Sequence, residues 1–219
     1  MQELRMKPHG KKGKLISFCG LDGCGKSSMI AMLSKKLAES GVDIFLTRQP
    51  TDMMRNTGIF RTFMDSSDNS AYEYRSLSLM AAADRLQHVN KVILPALAEG
   101  KTVICDRYFY SCLANLRARG YKDDEWIYEI ADKIVKPDVS FFLDVHVGCA
   151  LQRVRARPEE KDRYIDVPLQ YRLRNEYIEI CKSNGGVLLS SDGDINSTFD
   201  RVYKTVSKII LEDKNERNS

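Results

Sequence analysis

Residues 18–29 read FCGLDGCGKSSM, with Gly20, Gly23 and Gly25 directly after an apolar run and before a lysine and two serines. The preceding KLISFC (Lys14–Cys19) is a short β-type run, and Met29, Ile30, Leu33 and Leu37 follow at helical spacing. Strand, glycine turn and helix therefore succeed one another. Gly20–Ser27 satisfies GxxxxGK[ST] in that setting, a pattern whose glycines let consecutive backbone N–H groups turn inward around a phosphate. The following helix adds its positive dipole end at the same place. Lys26 is the mobile charge for β- and γ-phosphates, and Ser27 offers a hydroxyl to Mg²⁺. Gly20, Leu21, Asp22, Gly23, Cys24, Gly25, Lys26, Ser27 and Ser28 are the candidate ATP-binding residues.

Further apolar runs lie at DIFLT (Asp43–Thr47), KTVIC (Lys101–Cys105), VSFFL (Val139–Leu143) and GVLL (Gly186–Leu189). They lack polar alternation, which marks strands buried on both faces. Helical spacing fills the gaps: 27–40, a long stretch over 72–99 bent or ended near Pro95, 109–119, 123–135, from about 147, 169–183 and 195–211. Strands alternating with helices predict an α/β domain, a five-stranded parallel sheet flanked by helices on both sides. The domain is expected over 14–212, with disordered tails at 1–13 and 213–219.

Composition bounds the rest. With 34 Lys+Arg against 30 Asp+Glu, the net charge of +4 is too small by itself to mark a nucleic-acid binder. Six scattered cysteines show no metal-ligand spacing and read as reduced core residues in a reducing compartment. No run of 18 apolar residues and no signal-peptide pattern occurs, so a cytoplasmic location without membrane or nucleic-acid partners is expected.

Three cationic clusters accompany the glycine loop. Asp106-Arg107-Tyr108 follows the KTVIC strand, at the carboxyl edge where open parallel sheets bind ligands. Its carboxylate can hold Mg²⁺ through water and its guanidinium a second anion. Thr47-Arg48-Gln49-Pro50 puts another arginine just after the second strand. RARPEEKDR (Arg155–Arg163) reads as a solvated face or, beside a phosphate loop, as a lid over about 155–167 that delivers charge to a moving phosphoryl group.

Together these motifs resemble the thymidylate kinase family of P-loop nucleoside monophosphate kinases, over essentially 14–212. The carriers are FCGLDGCGKSS, TRQP, AADRLQH (82–88), DRYFYSCLA, and KPDVSFFLDV followed by DR at 162–163. The resemblance implies ATP-dependent phosphorylation of a nucleoside 5′-monophosphate, dTMP to dTDP, with Mg²⁺, within nucleotide biosynthesis and often in a homodimer. It also implies that Lys26 and the loop amides hold ATP, while Asp22 meets the acceptor sugar. Arg48 and Arg107 clamp the acceptor phosphate, Arg85 reads the base, Ser111 lines the acceptor site, and Asp106 with Ser27 organises the metal. Gly23 stands where some members carry an arginine, so Arg155, Arg157 or Arg163 would supply the catalytic cation from the lid. The lid carries about one extra residue near Glu160.

Two departures alter the acceptor pocket. The phenylalanine that stacks on thymine falls at Ala81, and the aromatic that crowds the sugar 2′ position falls at Asn115. Phe60, Phe63, Tyr72, Tyr108 and Tyr110 are the rings that could replace the missing face. A same-fold kinase for a different nucleotide or small phosphorylated metabolite is therefore the alternative, and a non-catalytic P-loop switch protein is a further one.

Overall fold

The computed structural model describes residues 2–217, with side chains through 210. Among the described residues seven strands, β1 (Lys7–Pro8), β2 (Lys14–Gly20), β3 (Ile44–Arg48), β4 (Thr102–Asp106), β5 (Val135–Lys136), β6 (Val139–Asp144) and β7 (Val187–Ser190), form two sheets. The main sheet is parallel throughout, in the order β3-β4-β2-β6-β7. All five strands expected from the sequence are present, each within a residue or two of its apolar run. Central β2 is buried along nearly its whole length because helices cover both faces of the sheet.

The helices are α1 (Lys26–Glu39), α2 (Asp52–Arg55), α3 (Gly58–Asp65), α4 (Tyr74–His88), α5 (Leu94–Ala98), α6 (Tyr110–Ala118), α7 (Trp126–Ala131), α8 (Val147–Arg155), α9 (Val167–Ser183) and α10 (Ile195–Arg217). α1 buries Met29, Leu33 and Leu37. The expected long helix over 72–99 is broken as Pro95 requires. α4 passes through a π turn, Val89–Ile93, where Leu94 N–H reaches Val89 O, before α5 begins. Helix ends are capped locally: Glu73 accepts from Ser76 N–H at 3.0 Å and Asp166 from Leu169 N–H at 2.9 Å.

The N-terminal segment corrects the expectation of a disordered tail. Leu4 and Met6 are buried, and Leu4 N–H donates to Asn184 Oδ1 at 2.9 Å. β1 pairs in parallel with β5, which also shortens the helix expected over 123–135 to α7. His9 Nε2 lies 2.8 Å from Asp138 Oδ2, the oxygen that also accepts Leu15 N–H. Two apolar side chains spaced by two give the arm a buried face that a count of its lysines conceals. At the other end α10 is helical to Arg217, past the 213 boundary set for the C-terminal tail, whose residues 218–219, like Met1, lie outside the described residues.

All six cysteines are free, and five are buried. Burial pushes the Cys19 thiol up to about 12, which keeps it an inert packing group. No helix among the described residues is long and apolar enough to cross a membrane.

Candidate active site

The carboxyl edge of the sheet opens into a cavity of about 1030 Å³, large enough for two ligands side by side. β-sheet register brings Arg48, Asp106 and Phe18 side by side there, so the phosphate loop after β2 and the DRY segment after β4 share one rim. Gly20, Gly23 and Gly25 all take positive φ (139, 80 and 95°). A Cβ at Gly20 would lie 2.5 Å from Leu143 O, and one at Gly23 2.3 Å from Ala150 O. α8 thus packs directly on the loop, which is why this chain can carry no arginine at 23. Gly23→Ala is expected to destabilise the fold by about 2–4 kcal/mol, combining overpacking with left-handed strain; a urea melt at wild-type midpoint would refute this.

Lys26 folds over the loop, donating from Nζ to Leu21 O at 2.7 Å and to Gly20 O at 3.3 Å. The amides of the first turn of α1 have no intrahelical acceptor and are available to an anion. Ser27 and Ser28 line the cavity beside them. Cys24 does not: its side chain is fully buried and its N–H donates to Leu21 O at 3.3 Å, so it serves the turn. Arg153, which sequence reading passed over, ties the loop to the last strand by donating to Gly23 O at 3.4 Å and Ser191 O at 3.0 Å.

Asp22 is the electrostatic centre of the site. Arg107 Nη2 approaches one of its oxygens at 2.5 Å and Arg163 Nη2 the other at 3.0 Å. Burial alone would raise its carboxyl pKa, but Arg107, then Lys26 and Arg163, hold it far below the usual range. Arg107 has φ 66°, a strained value for a side-chain-bearing residue, stabilised by its N–H bond to Phe18 O at 2.8 Å. That backbone aims its Nη1 at Gly20 O and at Tyr177 Oη, each at 3.0 Å. Tyr177 in turn donates to Ser111 Oγ at 3.1 Å. Burial pushes the Tyr177 hydroxyl up to about 12, so it remains neutral. Nothing but its place in a helix after the lid could have pointed to Tyr177.

The lid arginines separate. Arg157 and Arg163 line the cavity, and Arg163 Nη1 lies 2.6 Å from Glu160 Oε2. Arg155, expected to be a catalytic candidate, instead donates to Lys161 O at 2.5 Å and Arg163 O at 2.6 Å and shapes the lid from behind. Its position at the end of α8 points it along its own loop.

AADRLQH uses two faces of α4. Asp84 accepts Thr51 N–H at 2.9 Å and the Thr51 hydroxyl, while His88 lies 2.8 Å from Thr47 Oγ1 and 3.1 Å from Gln49 Nε2. These four-apart residues clasp the TRQP loop. Arg48 at its tip ion-pairs with Asp52 and has 55% of its side chain exposed, although it still lines the cavity. Burial lowers the pKa of His88 below its ordinary 6.5, with Arg85 adding to the effect against Asp84. The neutral ring is therefore the stabilising form: its contribution is complete above pH 6.5 and is lost as pH falls toward the folded-state value. Thermal stability should decline below pH 6.5, and His88→Gln should flatten that decline; an equal slope in the variant would contradict the assignment.

On the other face, Ala81 and Arg85 line the cavity, opposite Ser111 and Asn115 of α6. Arg85 Nη1 donates to Ala81 O at 2.9 Å, while its buried Nε has no hydrogen-bond partner. Ser78 Oγ, buried one turn before Ala81, is likewise unpartnered. Asn115 donates to Ser111 O at 2.9 Å and accepts from Arg119 at 3.0 Å, and the Arg119 guanidinium sits 4.0 Å from the Tyr74 ring centre. Phe60, Phe63 and Tyr72 line the same cavity. Tyr108 and Tyr110, expected as candidate base-stacking rings, are buried in the core, Tyr108 Oη donating to Val135 O at 2.7 Å. They follow Arg107, whose turn sends the chain back under the sheet edge.

Asp106 also lines the cavity, and its buried Oδ1 has no hydrogen-bond partner. Among the described residues no group of three or more His, Cys, Asp or Glu side chains is placed to hold a metal. One carboxylate and the Ser27 hydroxyl suit an ion that takes its other ligands from phosphates and water, the usual habit of Mg²⁺.

Comparison with known proteins agrees with this geometry. The family model described as thymidylate kinase matches residues 18–200. The probable thymidylate kinase of Pyrococcus horikoshii is 38% identical over 173 residues, 78% of this chain and 84% of that protein. That of Staphylothermus marinus is 35% identical over 196 residues (88% and 92%), and the thymidylate kinase of Geotalea daltonii 33% over 208 residues (90% and 97%). A glycine loop, a DRY corner and an arginine lid on one parallel-sheet edge, matched in this way along most of the chain, place the protein in the thymidylate kinase family of phosphoryl transferases.

Proposed function

We propose that the protein transfers the γ-phosphoryl group of ATP to the 5′-phosphate of dTMP, giving ADP and dTDP. One observation carries this reading: Arg107 lies against the phosphate loop, Nη1 3.0 Å from Gly20 O, so two anion sites share a wall. An acceptor phosphate oxygen forms the new bond to the γ-phosphorus as the bond to the β,γ-bridging oxygen breaks and ADP departs. Lys26 and the loop amides orient the donor, and Arg107 orients the acceptor. Arg157 and Arg163 face the cavity, where they can neutralise charge on the phosphoryl group in transit. Asp106 and Ser27 would hold Mg²⁺, which supplies charge neutralisation on the donor phosphates. Arg85 Nε offers a donor to the base. A homodimer working in the cytoplasm belongs to the same proposal; sedimentation equilibrium checks the first.

The second reading, a different monophosphate acceptor, is favoured by the unpartnered Ser78 hydroxyl and by Asn115, which make the pocket more polar than a thymine requires. Turnover compared among dTMP, dUMP, UMP and CMP decides between them. A dTMP rate far below one of the others overturns the first. Ala81→Phe should tighten dTMP by about 1–3 kcal/mol if the pocket lacks only a stacking face; no change in KM means an acceptor of another shape.

A further inference from the structure

We propose that Arg55, rather than Arg48, is the second arginine on the acceptor phosphate, acting with Arg107; the assignment rests on the phosphoryl-transfer reading above. Arg55 ends α2, a four-residue helix whose Met54 is buried. Its Nε donates to Pro50 O at 2.8 Å, which fixes the guanidinium plane against the TRQP loop. The loop is itself fastened to α4 through Thr51 and Asp84. Both terminal nitrogens of Arg55 are left without a hydrogen bond or ion pair among the described residues, and the side chain lines the cavity.

The neighbouring charges are already committed. Arg48 pairs with Asp52 and is largely in solvent, and Asp22 is shared by Arg107 and Arg163. Burial lowers the Arg55 pKa, and the positive charges of Arg107 and Arg48 lower it further against Asp106 and Asp22. Arg48, Arg55 and Arg107 line one cavity, and an anion bound among them relieves their mutual repulsion. A phosphate dianion is such an anion, and a guanidinium pinned at Nε presents its remaining donors to two phosphate oxygens with little rotamer entropy to lose. Arg48 would first have to leave Asp52 and become ordered.

Calorimetric binding of dTMP and of thymidine, which lacks the phosphate, separates phosphate contact from a structural role. Arg55→Gln is expected to weaken dTMP binding roughly 10- to 100-fold, the loss of a charge-assisted contact, while leaving thymidine binding within about twofold. Arg55→Lys, which keeps the charge without the fork, should lose less, and Arg48→Gln less than about fivefold. A thermal melt confirms that each variant is folded. Wild-type affinity for dTMP in Arg55→Gln, or equal losses for dTMP and thymidine, would overturn the assignment. Wild-type protein that ignores dTMP but binds UMP refutes only the acceptor named above, and the same comparison then runs with UMP and uridine. Wild-type protein that binds no monophosphate overturns both.

Discussion

Lys26→Ala is expected to reduce kcat roughly 10²- to 10³-fold, the scale on which loss of one preorganised charge from a transition state is felt. Lys26 lies in the wall of the phosphate loop, held by Leu21 O at 2.7 Å and Gly20 O at 3.3 Å. These bonds place the ammonium before any nucleotide arrives. Each is a charged hydrogen bond worth about 1.5–3 kcal/mol before water replaces the ammonium, so the variant should melt at a lower temperature yet remain folded. Steady-state transfer rates and a thermal melt measure the two effects separately. A folded variant with an unchanged rate would remove Lys26 from the chemistry.

Arg107→Ala should lower kcat/KM for the acceptor by about 10²–10³-fold. The guanidinium contributes three contacts, to Gly20 O, Tyr177 Oη and Asp22. Without it Asp22 keeps Lys26 and Arg163 as counter-charges, but the guanidinium proposed to orient the acceptor phosphate is gone and the local positive charge falls by one. The variant also relieves none of the backbone strain, since alanine tolerates φ 66° little better than arginine. The acceptor KM and kcat should both suffer. A loss confined to the KM for ATP would move Arg107 to the donor side.

The sheet was legible because each of its strands is a short run dominated by apolar residues without polar alternation, and the phosphate loop because its chemistry is compressed into eight consecutive residues. Asp106 and Arg107 were legible for a related reason: the carboxyl edge of a parallel sheet is a place topology defines. Residues that reach the cavity from helices carry no such signature. Tyr177, Arg119 and Ser78 sit on or beside helices whose spacing shows which faces are apolar, and tertiary packing alone decides which polar residues turn inward. Arg55 and its helix were missed because α2 is a single turn, too short to show periodicity. The arm at 4–8 was hidden by the cations in and after it, Arg5, Lys7, Lys11 and Lys12. Tyr108 and Tyr110 show the converse error: adjacency to Arg107 in sequence suggested the pocket, whereas the left-handed turn at Arg107 sends the next residues into the core.

Asp22 ties the phosphate loop to Arg107 and Arg163, and the proposed phosphoryl transfer requires two phosphate groups to bind on either side of it. A crystal structure with ADP and dTMP measures this directly. The ADP β-phosphate should lie on the first-turn amides of α1 and on Lys26 Nζ, with the dTMP phosphate within about 3 Å of the Arg107 guanidinium, the length of a charge-assisted hydrogen bond. An ADP phosphate away from that loop, or a dTMP phosphate out of reach of Arg107, would contradict it.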